Sequence, residues 1–181
     1  MVDVAAKNIL RAWMGLSVLA LALAGVMAIL VAASRIPGIK DTFPWPVAFF
    51  QRGLVGHVVF SFVIWFLAAF GVLLRLAASA GTGAKAGAAD RLAPLLAAIA
   101  FVFLLIPLMS SRGEPTLNNY IPAVTDPLYY AGLVVLAAAA ALAVARFLAP
   151  LGRASGREPL TVALAAGGMI FILAIGAFAR A

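Results

Sequence analysis

The stretch "LVGHVVFSFVIWFLAAFGVLL" (54–74) decides the fold, because it is long and apolar enough to cross a lipid bilayer. A hydrocarbon core about 30 Å thick is crossed by roughly 20 apolar residues in a helix. The stretch contains no Asp, Glu, Lys or Arg, and it holds His57, the single histidine of the sequence. It therefore predicts a membrane-spanning helix with one imidazole inside it.

The composition of the whole chain agrees with a membrane protein. Hydrophobic residues make up 66% and charged residues 10%, and the mean hydropathy is +1.15. A soluble domain is nearer half apolar and about a quarter charged. The net charge of +7 is explained by basic loops that flank membrane spans. No block of consecutive Lys or Arg is present, so we expect membrane lipid and no nucleic acid as a partner.

The hydropathy pattern predicts an all-α, polytopic transmembrane helix bundle of five spans, with residues 1–181 as a single membrane domain. The predicted spans are 12–33, 54–74, 92–110, 128–148 and 160–178. The first apolar segment is longer than the apolar core of a signal peptide, which has about 7–15 residues. This favours a helix that is retained in the mature protein over a cleaved signal peptide. The absence of cysteine excludes disulfides and thiolate ligands.

The distribution of Lys and Arg predicts the orientation of the bundle. Cytoplasmic loops of membrane proteins carry an excess of these residues. With a cytoplasmic N-terminus and a periplasmic C-terminus, eight basic residues lie inside: Lys7, Arg11, Arg75, Lys85, Arg91, Arg146, Arg153 and Arg157. Five lie outside: Arg35, Lys40, Arg52, Arg112 and Arg180. The abundance of Ala, Gly, Leu and Arg is typical of high-GC bacterial genomes, so the membrane expected is the bacterial inner membrane.

His57 is the candidate functional residue, since an ionisable side chain inside a membrane span commonly marks a site. On a regular helix Gly53, Phe60, Ser61 and Ile64 share its side. Gly53 leaves room for a bulky planar ligand, Phe60 and Ile64 exclude water, and Ser61 supplies a hydroxyl. The alternative is that His57 only forms a hydrogen bond to a neighbouring helix. The spacing does not decide between the two.

The sequence offers no catalytic residue. It has no Ser/His/Asp arrangement, no G-x-G-x-x-G motif and no pair of carboxylates inside a span. Asp126 and Glu114 fall in the outer loop 110–127, where we expect them to be solvated or bound to Arg112. The intramembrane charges and broken helices that mark ion or substrate paths are missing, which disfavours a transporter or channel.

Three stretches resemble the N-terminal part of subunit I of the heme-copper oxygen reductases, in the divergent branches of that family. These are "RAWMGLSVLALALAGVMAILVAASR" (11–35), "GLVGHVVFSFVIWF" (53–66) and "NNYIPAVTDPLYYAGL" (118–133). In the family, the second helix begins near the outer face with a histidine that is an axial ligand of the low-spin heme, and His57 takes that position. The loop before the fourth helix is similar at Tyr120, Pro122, Pro127 and Gly132. The likeness covers roughly residues 8–178, and the orientation from charge puts His57 on the side that the family requires.

The resemblance implies a low-spin heme b whose iron is bound by His57, with Gly53, Phe60, Ser61 and Ile64 around it. The copper ligands and the second low-spin heme ligand of the family follow the fifth helix, so no copper site is expected in this chain. The chain would then be part of a cytochrome c oxidase-type oxidoreductase and no complete oxygen reductase by itself. Its role would be respiratory electron transport.

Three arrangements are compatible with a single histidine. The chain is half of a split subunit I, with another membrane subunit supplying the second heme ligand. It binds heme as a pair, with His57 of a second copy as the other ligand. Or it keeps the fold without the cofactor, as a non-catalytic structural or assembly subunit.

Overall fold

The computed structural model describes residues 4–39, 49–81, 86–110, 112–117, 122–148, 164, 166–171 and 173. Within them the chain is mostly helical. Helix α1 is Val4–Ala33, α3 is Ala88–Met109 and α4 is Pro127–Leu148. Helix α2 consists of Phe49–Val58, the π-helical turn Val59–Ile64 and Trp65–Gly81. Strands β1 (Pro115–Leu117) and β2 (Pro122–Val124) lie between α3 and α4.

Four helices of the described residues are long and apolar enough to cross a membrane. They are α1, α2 over Phe49–Ala78, α3 and α4, and their mean hydropathies run from 2.2 to 2.6. They match the first four predicted spans, although α1 and α2 begin earlier than predicted, at Val4 and Phe49. Residues 164, 166–171 and 173 of the predicted fifth span are helical. The remainder of 160–178 lies outside the described residues, so the structure establishes four candidate spans.

The four helices bury one face each against a common core. On α1 this face is a stripe at spacings of three and four residues: Ile9, Trp13, Leu16, Ala20, Ala24 and Met27. Large apolar side chains such as Val18, Ile29 and Val134 point outward. Apolar residues on the outside of a bundle are expected where the solvent is lipid.

Small residues allow the helices to approach closely. A Cβ on Gly132 of α4 would lie 2.9 Å from the Cγ of Leu104 on α3, and a Cβ on Gly71 of α2 would lie 2.5 Å from the Trp13 indole on α1. Gly168, in the predicted fifth span, would meet Val144 at 2.5 Å. Such small-residue seams hold membrane helices together by van der Waals packing.

The loop between α3 and α4 contains a short β-hairpin, which departs from the all-α prediction. β1 and β2 pair antiparallel with Thr116 opposite Ala123. Gly113 precedes the hairpin with φ of +64°, and a Cβ there would collide with the Thr125 carbonyl. Glycine is therefore required at this turn. We call the end of the bundle that carries this loop the hairpin end.

Candidate functional site around His57

His57 lies in α2 toward the hairpin end and is half-buried. Its Nδ1 lies 3.0 Å from the carbonyl oxygen of Ala24 on α1. A carbonyl only accepts hydrogen bonds, so this contact assigns the ring proton to Nδ1 when the imidazole is neutral. Nε2 then keeps its lone pair. Metal-binding histidines commonly use this arrangement, with one ring nitrogen donating to a backbone carbonyl and the other binding the metal.

The helix changes its geometry directly after His57. Residues Val59–Ile64 form a π-helical turn, and the Trp65 N–H donates to the Phe60 carbonyl five residues earlier. The Ser61 hydroxyl donates to the His57 carbonyl oxygen at 2.6 Å. Single π-helical turns inside α-helices occur frequently at functional sites. No feature of the sequence predicts this turn.

The residues predicted to share a face with His57 have different surroundings. Phe60 and Ile64 are fully buried in the core, and the Phe60 ring packs on Phe101 of α3 with 4.7 Å between centroids. Ser61 is half-buried beside His57. A regular helix turns about 100° per residue, and a π-helical turn takes in one extra residue. The side chains after position 59 therefore point in directions, relative to His57, that differ from those on a regular α-helix.

Gly53 packs against α1. A Cβ at this position would lie 2.5 Å from Cγ2 of Val31, so the glycine allows α1 and α2 to come together at the hairpin end. The proposed contacts of Gly53, Phe60, Ser61 and Ile64 with a cofactor stay predictions. What the structure adds is that three of the four, all except Ser61, are packed inside the bundle.

Arg52, five residues before His57, is not among the site residues predicted from the sequence. It is only 7% exposed. Its Nη1 donates to the carbonyls of Pro107 at 3.2 Å and Arg112 at 2.8 Å, and its Nη2 donates to the Gly113 carbonyl. The guanidinium thus ties the His57-bearing helix to the end of α3 and to the loop. Backbone carbonyls carry no signature in a sequence, so charge counting placed Arg52 merely on the outer side.

Asp126 also lies at the hairpin end of the bundle and is only 4% exposed. Its Oδ2 lies 3.3 Å from Nε of Arg112, in agreement with the second of the two expectations for this carboxylate. Its Oδ1 accepts the N–H of Leu128 at 2.8 Å and that of Tyr129 at 3.3 Å, so it also caps α4. An aspartate cap satisfies amides that the first turn of a helix leaves unpaired. Tyr120, which contributed to the resemblance, lies outside the described residues.

The described part of the chain contains no group of three or more His, Cys, Asp or Glu side chains arranged to hold a metal ion. His57 is the single histidine of the sequence. The His57 residue as a whole is partly exposed. The chemistry open to it is one-sided coordination of an iron or an interhelical hydrogen bond.

No protein-family model and no solved structure matches the chain. A relative from Aquifex aeolicus (strain VF5), described as an uncharacterized protein, is 32% identical over 123 residues. The match covers 67% of this chain and 29% of the relative. The chain thus spans less than a third of the length of a larger protein to which it is similar.

Proposed function

We propose that this chain is a heme-binding membrane protein of respiratory electron transfer, with His57 as an axial ligand of a low-spin heme b. In this proposal the bundle has five spans and lies in the bacterial inner membrane, with the N-terminus cytoplasmic and the C-terminus periplasmic. It is similar to the first five helices of heme-copper oxygen reductase subunit I. A bound heme would supply a one-electron carrier that cycles between ferric and ferrous iron.

The orientation of the imidazole is the observation that carries the proposal. The Nδ1 contact with the Ala24 carbonyl fixes the ring plane and the tautomer, and it leaves Nε2 as a free donor of electrons to a metal. His57 is only partly buried, which leaves part of the residue accessible to a ligand.

The packing on α2 supports a site that is completed by another polypeptide. Gly53, Phe60 and Ile64 are engaged inside the bundle, so a porphyrin bound by His57 would lie against the outer face of α2. That face requires a cover, since a heme contacts protein on both sides. The second axial ligand would come from a separate membrane subunit or from His57 of a second copy. The Aquifex relative has more than twice the matched length outside the match, which is consistent with a larger assembly in the same family of chains.

A second function is favoured by the same contact. The His57–Ala24 hydrogen bond also serves as an interhelical bond in a structural or assembly subunit without cofactor. The two functions require different side chains at position 57. The first requires an imidazole, and the second requires only a hydrogen-bond donor.

A reduced-minus-oxidised absorption spectrum tests the proposal. The chain is produced under heme-replete conditions, alone and together with the product of the neighbouring gene, and purified in detergent. His57→Gln keeps an amide donor for the Ala24 carbonyl and removes the iron ligand, and Val134→Ala, at an exposed position on α4, is the control. Heme bands in the control and none in His57→Gln support the proposal. No heme in any preparation, with His57→Gln folding and assembling normally, supports the structural subunit.

A further inference from the structure

A second polar region lies at the end of the bundle opposite the hairpin. There the start of α1, the end of α2, the start of α3 and the end of α4 enclose a cavity of about 40 Å³. Its apolar walls include Ile9, Trp13, Leu74 and Phe147. An ordered water needs about 10–15 Å³ of such volume, so the cavity has room for roughly three oxygen atoms.

Three charged side chains line this cavity: Arg75, Asp90 and Arg146. Arg75 is 8% exposed. The Asp90 carboxylate is held through Oδ2, which accepts from Arg146 Nη2 at 3.0 Å and from the Gly87 N–H at 2.7 Å. Two guanidinium groups and one carboxylate give the lining a net positive charge. A group that fills the cavity is therefore favoured electrostatically when it is an anion.

The cavity is held in shape by close packing. The Trp13 indole lies directly over Gly71 of α2, and a Cβ on Gly87 would lie 3.2 Å from Nη2 of Arg146. Both arginines are thus presented from helix ends that are fixed against neighbouring helices. A site formed in advance loses little conformational entropy when its ligand binds.

We propose that this cavity binds a phosphate group, contacted by Arg75 and Arg146. Phosphate offers several acceptor oxygens with the spacing that guanidinium donors match. The cavity lies among the ends of membrane helices, where lipid headgroups are found, and basic pockets between such helices bind anionic headgroups. The exposed Arg11 and Arg91 on the same end add to the positive potential. The phosphate belongs to an anionic phospholipid or is inorganic phosphate, and the chemistry at the arginines is the same.

Trp13 provides a reporter inside the cavity wall. The chain contains three tryptophans, so Trp45→Phe with Trp65→Phe leaves Trp13 as the single indole. This protein, in dodecyl maltoside, is titrated with dioctanoyl phosphatidylglycerol, with dioctanoylglycerol, which has the same acyl chains and no phosphate, and with inorganic phosphate, and the Trp13 emission is recorded. We expect a saturable change with phosphatidylglycerol and none with dioctanoylglycerol, which lacks the phosphate group. A saturable change with inorganic phosphate alone also supports the site and makes a soluble ion its ligand.

Arginine variants in the same background identify the contacts. Arg75→Gln and Arg146→Gln should each raise the half-saturating concentration about fivefold, the loss typical of one basic side chain near an anionic headgroup. Arg11→Gln, an exposed arginine on the same end, is the matched control and should change it less than about twofold. If Arg75→Gln does not fold, Arg146→Gln decides, because its side chain is 37% exposed and tolerates replacement. Equal responses to phosphatidylglycerol and dioctanoylglycerol, no saturable response to either phosphate source, or an Arg146→Gln result equal to that of Arg11→Gln would overturn the proposal.

Discussion

The two ends of the bundle use arginine in different ways. At the hairpin end, Arg52 is buried and its guanidinium donates to backbone carbonyls of α3 and the loop. At the opposite end, Arg146 binds the carboxylate of Asp90 beside a cavity. Backbone acceptors cannot be moved without moving the loop, whereas a side-chain pair can rearrange. The hairpin end is thus built for rigidity around the His57 helix, and the cavity end keeps space for a ligand.

The largest expected effect is at Arg52. Arg52→Met keeps much of the apolar stem and removes the donors to three carbonyls. Hydrogen bonds to a charged group contribute about 1.5–3 kcal/mol each, and carbonyls that stay buried without a partner add to the loss. We expect destabilisation of about 3 kcal/mol or more, measured by thermal unfolding in detergent. Arg11→Met, at an exposed position, should change stability by less than about 0.5 kcal/mol. Equal effects of the two variants would show that the Arg52 contacts do not stabilise the hairpin end.

The second largest effect on stability is expected at the turn that contains Gly113. Gly113→Ala must adopt a left-handed backbone and also collides with the Thr125 carbonyl. Gly38→Ala is a matched control, because Gly38 has φ of +83° and nothing lies within 4 Å of its would-be Cβ. The control should cost about 1 kcal/mol from its backbone alone, and Gly113→Ala about 2–3 kcal/mol. The two melting temperatures measure the difference, and identical shifts would contradict a tight packing of the loop.

Asp126 separates capping from ion pairing at the hairpin end. Asp126→Ala removes the cap of α4 and should cost about 1–2 kcal/mol. Asp126→Asn keeps a side-chain oxygen for the Leu128 and Tyr129 amides and loses only the pair with Arg112, whose side chain is 54% exposed. It should cost about 0.5 kcal/mol. Thermal unfolding of both variants tests this order, and equal losses in the two variants would make the ion pair with Arg112 the dominant interaction.

The smallest effect is expected for the ion pair at the cavity end. A double-mutant cycle with Asp90→Asn and Arg146→Gln should give a coupling energy of about 0.5–1 kcal/mol, since the Arg146 side chain is partly exposed. The coupling energy is calculated from the free energies of unfolding of the parent protein, the two single variants and the double variant. A coupling as large as the Arg52→Met loss would remove the distinction between the two ends.

Much of the architecture can be read from hydropathy. The four candidate spans follow from uninterrupted apolar runs, because a bilayer accepts little else. The bond between Arg112 and Asp126 was one of two predicted outcomes for this carboxylate. Both depend on the side-chain chemistry that a sequence displays directly.

The features that escaped prediction depend on the backbone. The π-helical turn after His57 changes which residues share its face, and a spacing rule that assumes a regular helix has no means to locate it. Arg52 binds carbonyls, which every residue has. The short hairpin between α3 and α4 lies in a segment, 110–127, for which the sequence predicted a loop without strand pairing.

The most direct test of the central claim is the redox difference spectrum of the purified protein and of its His57→Gln variant, recorded with and without the neighbouring gene product. We expect the α-band of a low-spin heme b in the parent protein and its loss in His57→Gln, while the variant retains the helical circular dichroism of the parent. Equal heme content in the two proteins, or a parent that binds no heme in either preparation, would contradict the assignment of His57 as an iron ligand.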